Sequence, residues 1–493
     1  MKRRSDLKKR REKRPAGKRK GGKRTAGSNR ELYLFAGLFT VLFAGLFVYL
    51  SVYVGSNHEE LFNNSYNSRQ RVLAQQNRRG SIYSADGEIL AQTLEEDGAE
   101  VRRYPFGQVF AHAVGYVTQG KSGLEELENY ALSNSDIEER EKFENEENGR
   151  KNPGNDVYAT LDTGVQRAAY DALGAYRGAI VATEVKTGRI VAMVSKPDFD
   201  PNLIAGEWEK ISQDTENAVL LNRAVQGLYP PGSTFKIVTA LAYLRQFPDA
   251  WQDYRYQCSG SFVSGDNRIT CFHGSVHGNV DLKTSFAKSC NCSFANLGLL
   301  LPREEFGDTI DSLLFDRELP IELPYRQSSA EIDSDSPDAD VIQTSIGQGR
   351  TQMTPMHLNM ITMAIANGGV LMEPYLVDRV ENAHGEVLEE NGPKEYGRLL
   401  SGQEASVMTS LMEAVVTEGT GSQLKDRSYT AAGKTGSAEF SDESDESHAW
   451  FTGFAPAEDP QIAVTVVVES IGSGGDYAVP LARRVFDAYF EED

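Results

Sequence analysis

Residues 32–54 run for 23 positions without a charged side chain, long enough to cross a bilayer as a helix with some tilt. A secretory signal peptide would carry a shorter apolar core with a small-residue cleavage site soon after it. Here Tyr53-Val-Gly-Ser-Asn57 follows, a poor site, so the segment reads as an uncleaved anchor. Residues 1–30 hold 15 Lys/Arg against Asp6 and Glu12, which assigns that end to the cytoplasm. The whole chain has a formal net charge of −20, so everything beyond the tail is strongly acidic. A basic tail can bind nucleic acid, but one that stops against an apolar span reads as a topology signal, and no nucleic-acid partner is expected. The acidic body is then expected outside the cytoplasm, on a single-pass cell-membrane protein. Ala36, Thr40 and Ala44, with Gly37 and Gly45 beside them, form either a stripe for a second helix or the scattered small residues of any span.

The chain divides into a basic tail (1–31), the anchor (32–54), a smaller polar region (55–153) and a large domain (154–493). In the polar region, residues 79–91 read as two short strands around Asp86-Gly87, and residues 123–130 as a short helix. Residues 136–151 are dense in Glu, Asn and Lys and read as a solvated linker. The large domain opens with a strand at 157–161 and a helix at 163–176, then a hairpin around Lys186-Thr-Gly188. It ends with strands at 449–454 and 461–468 and a helix at 480–489. Strands at both ends with helices between predict an α/β (α+β) domain whose sheet joins distant segments. Residues 331–340 and 439–446 are acidic and read as solvated loops, the second between a candidate site segment and a strand.

Leu228-Tyr-Pro-Pro-Gly-Ser-Thr-Phe-Lys236 places Ser233 three residues ahead of Lys236 at the start of an apolar run. Proline at the first helical positions and serine near the cap are helix-start signals. On the helix that follows, the lysine amine can reach the serine hydroxyl and take its proton. Two later segments raise this pair above a chance match: Ser289-x-Asn291 and Lys434-Thr435-Gly436. Ser-x-x-Lys, Ser-x-Asn and Lys-Thr-Gly, in that order, are the signature of penicillin-binding proteins and class A β-lactamases. Each part has a job in acyl transfer. Ser233 attacks a carbonyl and Lys236 moves the proton; Ser289 and Asn291 extend the relay and hold a substrate amide. Lys434 and Thr435 offer a charge and a hydroxyl to a carboxylate, and Gly436 permits close approach. The backbone N–H groups of Ser233 and Ser437 would form an oxyanion hole.

Over roughly residues 75 to 490 the chain resembles the class B (monofunctional) penicillin-binding proteins. Arg79-Gly80, Asp86-Gly87 and Leu90-Ala91 look like the family's pedestal motif after the anchor. Gly123-Leu-Glu125, Thr160-Leu161-Asp162, Asn222-Arg223, Gly347-Gln-Gly349, Thr354-Pro355 and Trp450-Phe-Thr-Gly-Phe-Ala-Pro456 look like further landmarks. The resemblance implies the penicillin-binding-protein/β-lactamase-like transpeptidase fold, with a pedestal or dimerisation-like domain at 55–153. It implies a serine D,D-transpeptidase that cross-links peptidoglycan stem peptides ending in D-Ala-D-Ala and is acylated by β-lactams on Ser233. Catalysis then requires no cofactor. A polytopic glycosyltransferase is the implied membrane partner, and neither a glycosyltransferase domain nor C-terminal repeat modules are expected in this chain. A carboxypeptidase or β-lactamase on the same serine is the nearest rival, although no motif announces a base for deacylation by water. A β-lactam sensor and a glycosyltransferase activator with an idle serine are further rivals.

All four cysteines lie between Cys258 and Cys292. Cys258, Cys271, His277 and Cys290 offer four ligands suited to structural zinc at loop-compatible spacings, with Cys290 inside the Ser289-x-Asn291 motif. Some elongation-type members of the family look similar here, with a metal bound from the same region. A Cys258–Cys271 disulfide, fitting outside the membrane, and buried reduced thiols remain alternatives. His273 could replace His277, and Cys292 reads as structural.

Overall fold

In the computed structural model, which describes residues 28–56, 69–439 and 447–491, the segment bearing Lys434-Thr-Gly436 is the strand Ala432–Glu439. It edges a five-stranded antiparallel sheet continued by Ser447–Ala455, Ile462–Val468, Gly178–Glu184 and Ile190–Lys196. The two ends of the large domain meet inside that sheet, with Val464 opposite Ala182. The strands Ser447–Ala455 and Ile462–Val468 are buried along their whole length. Both of their faces are therefore covered, which is why they read as nearly continuous apolar runs. The helices Thr163–Leu173 and Gly474–Glu491 pack on one face and Pro355–Ala366 on the other. The few polar atoms inside pair among themselves: Thr452 Oγ1 bonds Thr465 Oγ1 at 2.7 Å and Thr362 Oγ1 at 2.6 Å. Each buried valine of these strands contributes about 1.5–3 kcal/mol.

The helix Lys236–Gln246 is buried from Lys236 to Leu244 among Asn291–Leu300, Arg303–Ser312 and Gly402–Thr417. The last of these starts with a capping box between Ser401 and Glu404, and Glu404 also pairs with Arg245 at 3.1 Å. The serine and lysine thus sit at the head of a helix that cannot tilt without disturbing three neighbours.

A six-stranded sheet runs in the order Val387–Glu390, Val377–Glu381, Asp156–Ala159, Ile82–Tyr83, Ile89–Glu96, Ala99–Arg103. The hairpin around Asp86-Gly87 and the short helix at Gly123–Leu127 form where expected. The sheet takes strands from both sides of residue 154 and is continuous across it. Glu125 is fully buried beside it and accepts hydrogen bonds from Arg79 at 2.6 Å and Arg102 at 2.7 Å.

Three expectations are corrected. Residues 136–151 are not a linker throughout, since Glu139–Glu147 is a helix. Its Glu, Lys and Arg are good helix formers, and Arg140–Glu144 and Lys142–Glu139 pair along its surface. His384 Nε2 contacts Glu141 at 2.7 Å, anchoring it to the adjoining strands. The last helix begins at Gly474, not at Pro480, because proline sits inside it rather than at its first position. The third lies in the serine turn and is described below. Of the acidic loop at 439–446, residues 440–446 lie outside the described residues.

The anchor is a separate unit, one helix over Ser28–Ser56. Its 24-residue apolar part, Glu31–Val54, has none of its side chains buried. At 1.5 Å per residue that is about 36 Å, more than the ~30 Å hydrocarbon core. Thr40 Oγ1 donates to Ala36 O at 2.8 Å, so the polar member of the small-residue stripe is satisfied within its own helix. Residues 1–27 of the basic tail lie outside the described residues.

Candidate active site

The chain enters the site through a 3-10 turn, Gly232–Phe235, before the α-helix starts at Lys236. Ser233 does not cap this helix, contrary to its reading as a capping position. Thr234 Oγ1 closes the turn instead, donating to Pro231 O at 2.7 Å, which leaves the Ser233 hydroxyl free for Lys236. The turn is pinned from two sides. Gly232 N–H donates to Gly347 O at 2.9 Å, and Trp450 Nε1 donates to Pro230 O at 3.1 Å. Gly347 has φ +73°, and a Cβ there would lie 2.1 Å from Gly232 O, so only glycine fits. This gives Gly347 and Trp450, two landmarks whose role the sequence did not state, a physical task.

Lys236 Nζ is fully buried and lies 2.9 Å from Ser233 Oγ, 2.8 Å from Ser289 O, 2.6 Å from Asn291 Oδ1 and 3.2 Å from Ser289 Oγ. Burial lowers its pKa to about 8, with the nearby cysteine sulfurs pulling the other way. A neutral amine has two N–H groups and one lone pair. The carbonyl oxygens of Ser289 and Asn291 can only accept, so they take both N–H groups. The lone pair is then left for the Ser233 O–H, the arrangement a general base requires.

Ser289 is a non-glycine residue at φ +54°, a conformation that costs about 1 kcal/mol or more. It presents its carbonyl to Lys236 and its hydroxyl to Lys434, whose Nζ donates to Ser289 Oγ at 2.9 Å and to Thr435 O at 2.9 Å. Burial, and then the neighbouring Lys236, push the Lys434 ammonium well below the usual lysine range. Ser233, Lys236, Ser289, Asn291 and Lys434 therefore form one connected polar network.

Ser233, Ser289, Asn291, Thr435 and Ser437 line a cleft of about 1500 Å³. Gly436 does allow a close approach, but to the serine turn: a Cβ there would meet Thr234 Cγ2 and Trp450 Cβ, each at 3.0 Å. Sequence reading missed Thr420, whose Oγ1 lies 2.5 Å from Thr435 Oγ1. Its setting between Gly419 and Gly421 was the available signal.

Below one wall of the cleft, Cys258, Cys271, His277 and Cys290 place their ligand atoms within 4.8 Å of one another. Cys258 Sγ is 3.7 Å from Cys271 Sγ and 3.5 Å from His277 Nδ1, and Cys271 Sγ is 3.7 Å from Cys290 Sγ. A tetrahedron with Zn–S of about 2.3 Å and Zn–N of about 2.05 Å has S···S edges of about 3.8 Å and S···N edges of about 3.6 Å. The donor set fits a zinc ion in type and spacing. His273 is not in the group, and Cys292 lies behind it, its Sγ 3.4 Å from Cys271 Sγ. All four cysteines are free and buried. Hydrogen bonds from Cys290 and Cys292 drive the Cys271 thiol well below its ordinary range.

The profile of the penicillin binding protein transpeptidase domain matches residues 178–487, and that of the penicillin binding protein A dimerisation domain matches residues 79–157. The chain is 34% identical over 460 residues to the peptidoglycan D,D-transpeptidase PbpA of Mycolicibacterium smegmatis, covering 86% of this chain and 91% of that one. It is similar to the penicillin G acyl-enzyme complex of penicillin-binding protein A from M. tuberculosis. The TM-score is 0.76 at 30% identity, covering 84% of this chain and 100% of that one. The D,D-transpeptidase domain of a peptidoglycan glycosyltransferase from Eggerthella lenta gives a TM-score of 0.76 at 30% identity, covering 85% and 99%. With the three motifs converging on one network and both profiles matched in order, the chain belongs to the class B penicillin-binding proteins.

Proposed function

We infer that this protein is a serine D,D-transpeptidase of peptidoglycan and that Ser233 is its nucleophile. The observation that carries this is the buried Lys236 Nζ, 2.9 Å from Ser233 Oγ with the carbonyl oxygens of Ser289 and Asn291 at 2.8 and 2.6 Å, so that the neutral amine has its lone pair left for the Ser233 hydroxyl. Ser233 Oγ attacks the penultimate D-Ala carbonyl, and its proton passes to Lys236. The backbone N–H groups of Ser233 and Ser437 receive the oxyanion. The C–N bond breaks, and terminal D-Ala departs with the proton returned by Lys236 directly or through Ser289. An amine of a second stem peptide then attacks the ester, its proton returns to Ser233 Oγ, and the cross-link is complete. The terminal carboxylate of the donor lies against Lys434 and Thr435. A β-lactam follows the first half of this path. Fluorescent penicillin is expected to label the full-length protein and not Ser233→Ala. An unlabelled wild type overturns the acyl-enzyme. Cross-linked product from lipid II and a glycosyltransferase separates transpeptidation from hydrolysis.

The apolar helix supports a location in the cell membrane, and the 15 basic residues of the tail support a cytoplasmic N-terminus with the catalytic domain outside. A polytopic glycosyltransferase is the proposed partner, reached through the anchor and pedestal; co-purification lost on exchanging the anchor for an unrelated span would support it. Cys258, Cys271, His277 and Cys290 are proposed to hold a structural zinc, which would supply a fixed cross-brace between the loop at 258–277 and the Ser289-x-Asn291 segment. Cys290 supports this placement, because its Sγ also accepts the Ser293 N–H at the start of the helix Asn291–Leu300. Metal analysis of the reduced protein finding no zinc would remove it.

A further inference from the structure

We propose that Thr420 is a positioning residue for recognition of the donor carboxylate, acting by setting the direction of the Thr435 hydroxyl proton. This rests on the reading of Thr435 as a carboxylate donor. The two hydroxyl oxygens are 2.5 Å apart, so one of them donates to the other. Thr435 has a single hydroxyl proton and a carboxylate can only accept. A Thr435 that gave its proton to Thr420 would present only lone pairs to an anion. With a carboxylate in place, therefore, Thr420 donates to Thr435 Oγ1 and the Thr435 proton points into the cleft. Both residues line that cleft, and Lys434, the neighbour of Thr435, directs its own N–H groups at Ser289 Oγ and Thr435 O. The Thr435 hydroxyl is thus one hydrogen-bond donor that this strand can turn toward an anion in the cleft.

Thr420 is itself well placed to hold a direction. Its N–H donates to Ala287 O at 3.3 Å, two residues before Ser289, and its carbonyl lies against Gly475. The loop after the helix Gly402–Thr417 so bridges the segment bearing Ser289 and the strand bearing Thr435. None of the three signature motifs includes this residue.

The test uses the full-length protein in detergent with two thioesters, benzoyl-D-alanyl-thioglycolate, which carries a free carboxylate, and its methyl ester, which does not. For Thr420→Val, kcat/KM on the carboxylate substrate is expected to fall about 10–100-fold, the range for one hydrogen bond to a charged group. The methyl ester is expected to change less than about threefold, and Thr420→Ser to restore the carboxylate substrate, since only the hydroxyl matters in this account. Thr420→Ala is measured alongside, so the comparison stands if the valine variant misfolds. Equal losses on both substrates, or no loss on the carboxylate one, overturn the proposal. Thr435→Val separates the layers. If its loss, too, falls equally on both substrates or on neither, the reading of Thr435 fails. If its loss is confined to the carboxylate substrate and that of the Thr420 variants is not, only the role of Thr420 fails.

Discussion

Lys236 Nζ stands 2.9 Å from Ser233 Oγ, and in its neutral form both N–H groups are taken by carbonyl oxygens, those of Ser289 at 2.8 Å and Asn291 at 2.6 Å. The base is therefore aimed before substrate arrives, and its protonation state governs the rate. Burial brings the lysine down from its ordinary value to about 8, so the neutral, active fraction grows as pH rises through that value. Acylation by a β-lactam should climb with pH, reach half its maximum near pH 8 and level off. Lys236→Met should lower the rate by about 10²–10⁴-fold. A flat pH profile for the wild type would count against Lys236 as the base.

Asn291 offers a way to move that profile. Its Oδ1 faces Lys236 and its Nδ2 donates to Thr270 O at 3.0 Å, so the orientation of the amide is set. Asn291→Asp keeps the shape but places a carboxylate against the amine, favouring the ammonium form. The midpoint of the acylation profile should rise by about one unit or more, given that opposite charges at this range shift a pKa by 1–3. Stopped-flow acylation across pH 6–10 reads this directly. A profile that keeps its midpoint and only loses amplitude would show that the amide does not tune Lys236.

Gly347 supports the nucleophile from below, through its carbonyl on Gly232 N–H. Alanine there combines a strained φ with a Cβ 2.1 Å from Gly232 O, so the serine turn must shift. A displacement near 1 Å costs about 100-fold in rate, so Gly347→Ala should lower acylation by about that factor. The thermal midpoint should fall by only a few degrees, because the helix Lys236–Gln246 keeps its packing. An unchanged acylation rate would mean the turn is held without this contact.

The catalytic trio was legible because Ser-x-x-Lys, Ser-x-Asn and Lys-Thr-Gly each carry chemistry in a few adjacent residues. The large domain's sheet was legible for a similar reason, since strands such as Ile462–Val468 are buried on both faces and announce themselves by composition. The continuity of the pedestal sheet was not. Asp156–Ala159 pairs with Ile82–Tyr83 on one side and Val377–Glu381 on the other, and such pairings leave no local trace. Glu139–Glu147 was missed because a helix whose single apolar residue, Phe143, is exposed has no apolar stripe to betray it. Thr420 was missed because its task depends on a partner 15 residues away in another element. Arg223 was noted as a landmark, but its ion pair with Glu469 at 2.7 Å appears only once the sheet is folded.

The cysteine cluster makes a separate prediction. Cys258 and His277 belong to the loop over the wall, and Cys290 to the wall itself. Removing a ligand should loosen the wall and leave Ser233 and Lys236 in place. Cys258→Ser, or prolonged treatment of wild type with a strong zinc chelator, should lower the thermal midpoint and slow acylation severalfold without abolishing it. Bound zinc should fall from near one per chain toward zero, and added zinc should restore the chelated protein. A melting curve indifferent to both treatments would dismiss the metal as a brace.

In the pedestal, Glu125 is fully buried between Arg79 and Arg102 and also accepts the Tyr104 hydroxyl at 3.1 Å. Removing the carboxylate leaves two guanidinium groups facing each other with little water to separate them. Breaking a buried pair from one side costs about 3–5 kcal/mol, so Glu125→Ala should lower the thermal midpoint of the pedestal markedly. Burial alone would push the Glu125 carboxyl up, but Arg102 and Arg79 outweigh it and hold the pKa below the ordinary carboxylate value. A depressed folded-state pKa means the stabilisation is complete above the unfolded value, about 4.3, and is lost as pH falls through the folded one. The gap in midpoint between wild type and Glu125→Ala should therefore be constant from pH 8 to about pH 5 and narrow below about pH 4. Calorimetry on both proteins decides it: a gap that widens in acid, or a variant as stable as wild type at pH 7, would mean that the ion cluster does not hold the pedestal together.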